Sequence, residues 1–105
     1  MSKIPIICDL SALPDRDQHQ QITASLFAQT ITLTETDTGY QINLPITTLK
    51  LVADFIDGER RCCPFLHFEI TVFPVADTLQ LHIKGDSDAK ALLQRELLAK
   101  INKKS

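Results

Sequence analysis

Three stretches of this chain alternate apolar and polar residues one by one: Tyr40-Gln41-Ile42-Asn43-Leu44, Leu66-His67-Phe68-Glu69-Ile70-Thr71-Val72 and Leu79-Gln80-Leu81-His82-Ile83-Lys84. A period of two is the strand period, and it gives each strand one apolar and one polar face. Ile31-Thr32-Leu33-Thr34 supplies a fourth, shorter run. Asp37-Thr38-Gly39 carries turn chemistry between the first two runs, and the segment from Pro74 to Thr78 turns the chain between the last two. Strands with one wet face belong in an antiparallel sheet covered on one side, which limits the fold to a sheet with helices on its apolar face.

The helices follow from the remaining segments. Pro14 suits a first helical turn, and Asp15 and Asp17 favour the positive end of a helix dipole, which predicts a helix over roughly residues 14 to 29 with Ile22, Leu26 and Phe27 inward. On this reading His19 sits on the polar face. After Pro45, Thr47 or Thr48 caps a second helix whose stripe is Leu49, Val52, Ala53 and Ile56, spaced i, i+3, i+4 and i+7. Gly58 either costs roughly 1 kcal/mol relative to Ala in a helix interior or marks a close contact with a neighbouring element. Pro64 bars the residue before it from the helical region, so this helix should end at about Cys62. Asp86 or Ser87 caps a third helix carrying Ala89, Leu93, Leu97 and Ile101, with Lys100, Lys103 and Lys104 at the negative end of its dipole. The predicted order is α-β-β-α-β-β-α, an α+β fold in a single domain over 1-105. The predicted core comprises Leu33, Tyr40, Ile42, Leu44, Leu49, Val52, Ile56, Leu66, Phe68, Ile70, Val72, Leu81, Ile83, Leu93 and Leu97.

A chain of 105 residues with 44% hydrophobic and 23% charged residues can bury a core without metal or disulfide staples. Its net charge of −2 gives no general electrostatic reason to bind nucleic acid. There is no run of about 18 apolar residues to span a membrane. The expectation is a cytoplasmic protein whose thiols are kept reduced. Its three cysteines, an odd number, argue against a disulfide framework.

Two of those cysteines lie in Glu59-Arg60-Arg61-Cys62-Cys63-Pro64-Phe65, where the second helix meets a strand. Adjacent thiols at an unwinding helix end can share a soft cation, close a strained vicinal disulfide, or pack. The candidate metal ligands are Cys62 and Cys63, with Cys8 as third sulfur and Glu59 in support, and the candidate cofactor is a soft metal ion, Zn or a heavier thiophilic one. His67 is also within sequence reach. The alternative is an interaction or accessory domain in which the cysteines pack, Cys62 beside the buried stripe and Cys63 on it. Its exposed sheet face or an edge strand would then meet a protein partner or a second copy in a homodimer. No catalytic base for a nucleophilic cysteine stands out in the sequence, so an enzyme is the least supported class.

Cys8-Asp9-Leu10-Ser11-Ala12-Leu13, Gly39-Tyr40 and the block from Glu59 to Glu69 together resemble a group of small bacterial proteins of unassigned activity with an E-R-x-C-C-x-F signature. The likeness runs over nearly the whole chain, with the Cys-Cys block as its specific part. It implies an association of related segments with MerR-type metal-responsive regulators, consistent with thiol chemistry toward soft metals. It implies no fold, activity or ligand set.

Overall fold

The computed structural model describes residues 15–102, the last five of them by backbone alone. Helix α1 spans Arg16–Phe27, strand β1 Thr32–Glu35, β2 Gly39–Pro45, helix α2 Leu49–Cys62, β3 His67–Phe73, β4 Thr78–Lys84 and α3 Ser87–Asn102. This is the α-β-β-α-β-β-α order expected from the alternating runs. The four strands form one antiparallel sheet in the order β1-β2-β4-β3, with β2 and β4 at its centre.

Local chemistry sets the boundaries. The Asp15 carboxylate accepts a hydrogen bond from the Gln18 backbone N–H at 2.9 Å and caps α1. Thr48 stands at the start of α2, but its hydroxyl donates to the Pro45 carbonyl at 2.7 Å and tightens the 3₁₀ turn Ile46–Thr48 before the helix instead of capping it. Asp86 accepts from the Ala89 N–H at 2.9 Å and caps α3. The helix end expected from Pro64 is present: α2 stops at Cys62, and Cys63 takes φ −128° and ψ 64°. Gly39 lies so close to β4 that a Cβ there would overlap the Ile83 carbonyl, so a side chain at this position would part the two central strands.

Along β2 and β4, Tyr40, Ile42, Leu44, Leu79, Leu81 and Ile83 are buried, and they pack with Leu26, Phe27, Val52, Phe55, Leu93 and Leu97 of the three helices. Two parts of the expected core are corrected. On α2 the inward stripe is Val52, Phe55 and Cys62, whereas Leu49 is 41% exposed and Ala53 faces out. The aromatic Phe55 decides the rotation: it meets Phe27 and Phe68 edge-on at 5.3 and 6.2 Å and stacks on His19 at 6.0 Å. On β3, Phe68, Ile70 and Val72 pair opposite Ile83, Leu81 and Leu79, so they lie on the apolar face as expected. Yet Phe68 is only partly covered, and Ile70 and Val72 are 40% and 43% exposed. The register is right, but β3 is an edge strand, and the helices reach Phe68 without covering Ile70 and Val72.

On the opposite face Glu69 pairs with Lys84 at 3.0 Å and His82 at 3.3 Å. The hydrogen bond and charge of Lys84, with a smaller contribution from His82, hold the Glu69 carboxyl below its ordinary pKa.

Candidate metal centre

The last two turns of α2 carry the chemistry. Glu59 lies three residues before Cys62 and four before Cys63, a spacing that stacks these side chains along one helix face. The Cys62 thiol donates to Glu59 Oε2 at 3.4 Å, and Cys63 Sγ stands 3.1 Å from the same oxygen. The two sulfurs are 3.4 Å apart, beyond the roughly 2.05 Å of a disulfide, so they are not bonded to each other. Both residues are 1% exposed. Cys62 is a buried thiol, while Cys63 is in disulfide-bonded form, which departs from the expectation of uniformly reduced thiols. The burial of Cys62 also corrects its expected place beside the stripe. Cys8 lies outside the described residues.

The fourth participant comes from α1. His19 is not on a polar face: it is 7% exposed, stacked on Phe55, with Nε2 at 3.8 Å from Glu59 Oε2. Its carbonyl accepts from the Thr23 hydroxyl at 2.8 Å, one turn further along the same buried side of the helix. Gly58 makes this approach possible, since a Cβ there would overlap Nδ1 and stand 2.5 Å from Cε1 of the His19 ring. The close neighbour expected from Gly58 is therefore His19. Two sequence signals point to the histidine: that glycine, and the spacing of α1 itself, in which residue 19 stands three before Ile22 and seven before Leu26 on the inward face.

One ligand atom each from His19, Glu59 and Cys62 lies within 4.8 Å of the others. Ligands about 2.0–2.3 Å from one tetrahedral ion are separated by roughly 3.3–3.8 Å. The thiol–carboxylate and imidazole–carboxylate separations, 3.4 and 3.8 Å, already fall in that range, while the thiol and imidazole, within 4.8 Å of each other, would have to close by up to about 1 Å around an ion. The sulfur, imidazole and carboxylate donors suit zinc and softer divalent ions better than magnesium or calcium, which prefer oxygen ligands alone. The imidazole and the carboxylate also place two proton acceptors beside the thiol, a role left unfilled by the sequence alone. His67 belongs to β3 and is outside this cluster. Arg60 and Arg61 face away and pair with Asp57 at 2.7 and 3.6 Å, holding the helix surface rather than the site.

The cluster lines a cavity of about 260 Å³, whose other walls include Phe27, Phe55, Leu92, Leu93 and Leu97 together with Gln20 and Glu96. No family model, curated protein or solved structure matches the chain. Among the described residues no helix is long and apolar enough to cross a membrane.

Proposed function

We propose that this protein is a small thiol-based metal site that binds or senses a soft divalent ion, with His19, Glu59 and Cys62 as its ligands. The observation that carries the reading is the convergence of a buried thiol, a buried imidazole and a carboxylate from two helices within 4.8 Å. In the reduced protein Cys63, and Cys8 as the further sulfur, enlarge the donor set toward thiolate and shift preference to heavier ions. Reduction of Cys63 would thus change which ion the site prefers. The resemblance to segments accompanying metal-responsive regulators supports the same reading, with a cytoplasmic location in keeping with it. Equilibrium dialysis against Zn²⁺ or Cd²⁺ should give about one bound ion per chain, with uptake falling at low pH as thiol and imidazole protons compete. Uptake by Cys62→Ser equal to that of the wild type would defeat the proposal.

A second reading, an interaction domain, is favoured by the uncovered apolar stripe on β3. Ile70 and Val72 lie half-exposed along a sheet edge, with Val75 fully exposed in the turn that follows. Edge strands of this kind can pair with another chain. Light scattering over a concentration series, with Ile70→Lys as control, tests for a homodimer through that edge.

A further inference from the structure

The cavity beside the cysteines deepens this reading, on which the inference rests. We infer that the site accepts a soft metal that still carries a carbon group: an organomercury-type cation, R–Hg⁺, with the metal on Cys62 and R in the apolar chamber. Two features in contact carry this. The cavity lining holds a thiol and, beside it, the Glu59 and His19 heteroatoms. The same lining carries Phe27, Phe55, Leu92, Leu93 and Leu97, interspersed with Gln20 and Glu96, around a cavity of about 260 Å³. A cavity of about 150 Å³ lined by apolar side chains holds benzene, so the volume of this partly open one is sufficient for an aryl group. A bare hydrated ion would use only the polar side chains of this lining. An apolar molecule without a metal would leave the thiol, carboxylate and imidazole without a role.

Capture is a ligand exchange without redox change. The Cys62 S–H bond breaks, an S–Hg bond forms, and the leaving ligand X⁻ departs from R–Hg–X. The proton passes to the Glu59 carboxylate or the His19 imidazole and then to solvent. One sulfur suffices for this near-linear two-coordinate cation, so the reaction does not require the disulfide-bonded Cys63. Glu59 and His19 flank the metal on its open sides.

The test compares phenylmercury and methylmercury on the wild-type protein, each competed off with penicillamine, a hindered monothiol slow to exchange with disulfides. Phenyl should be retained on the order of ten- to a hundredfold more strongly relative to its own penicillamine complex, the gain expected for burying an aryl side chain. Leu93→Phe, which fills the chamber, should remove that preference while leaving Cd²⁺ uptake intact, and a thermal melt verifies that the variant is folded. Equal retention of the two organomercurials by wild type would overturn the inference, as would a phenyl preference unchanged in folded Leu93→Phe. Normal Cd²⁺ uptake without a phenyl preference would sink this inference alone. Absence of Cd²⁺ uptake would sink the metal-site reading beneath it.

Discussion

Replacing Gly58 by alanine sets two effects against each other at the contact that brings His19 into the site. Alanine gains about 1 kcal/mol over glycine in a helix interior. Against that, the new Cβ would stand 2.5 Å from His19 Cε1, whereas ordinary contact begins near 3.4 Å, so the ring must retreat by about 1 Å. The ring cannot do so freely, because it is 7% exposed and stacks on Phe55 at 6.0 Å between centroids. Overpacking of a well-filled interior costs roughly 1–3 kcal/mol. The difference places Gly58→Ala between neutral and about 2 kcal/mol less stable, a fall of up to roughly 8–16 °C in Tm at about 4–8 °C per kcal/mol. Metal affinity should suffer more plainly than stability. The displaced imidazole leaves the position from which it reaches the ion, and loss of a ligand's alignment lowers affinity by about tenfold or more. Denaturant unfolding and Cd²⁺ titration of the same preparation measure both. A variant stabilised by the full 1 kcal/mol of helix propensity, with wild-type affinity, would refute the placement of His19 against Gly58.

Cys62→Ser should destabilise the domain by about 1–3 kcal/mol in urea unfolding, because a hydroxyl replaces a buried thiol, and Cys63→Ser should cost more, roughly 2–5 kcal/mol, because it also removes a disulfide cross-link. Equal stability of Cys62→Ser and wild type would return Cys62 to the helix flank. On the sheet, Leu81→Ala should cost about 2–5 kcal/mol, whereas Ile70→Ala, opposite it on the half-covered edge strand, should cost under about 1.5 kcal/mol. Similar losses would mean that β3 is covered. Glu69 should titrate below 4.5 by NMR and move back toward that value in Lys84→Ala. Since its folded pKa is depressed, this exposed cluster supports the fold above the unfolded carboxyl pKa, and the contribution fades as pH falls through the folded one. An unshifted Glu69 would remove the pairing.

The strand pattern exposes most of this fold because its signal is local: alternation in β2, β3 and β4 marks faces, and Pro64 marks the end of α2. What the pattern cannot carry is cover. Ile70 and Leu81 look alike as alternating apolar residues, and only the strand order leaves the first at an edge and the second at the centre. The stripe on α2 is ambiguous in sequence because Leu49, Val52, Ala53 and Ile56 satisfy helical spacing as well as Val52, Phe55 and Cys62 do. Phe55 decides between them through contacts with α1 and β3. The site divides in the same way. Glu59, Cys62 and Cys63 are neighbours in sequence and legible as a group, whereas His19 joins them across a helix pair. Its traces in the sequence are its spacing with Ile22 and Leu26 on α1 and the missing side chain at Gly58 on the other helix.

The account rests on a mixed sulfur, nitrogen and oxygen centre, and X-ray absorption at the metal edge of the Zn²⁺-loaded, unreduced protein tests that composition most directly. The expected spectrum has one sulfur at about 2.3 Å with nitrogen and oxygen neighbours at about 2.0–2.2 Å. In His19→Ala the imidazole multiple-scattering features should vanish while the sulfur shell remains. A first shell of oxygen alone, or a wild-type spectrum without imidazole features, would contradict it.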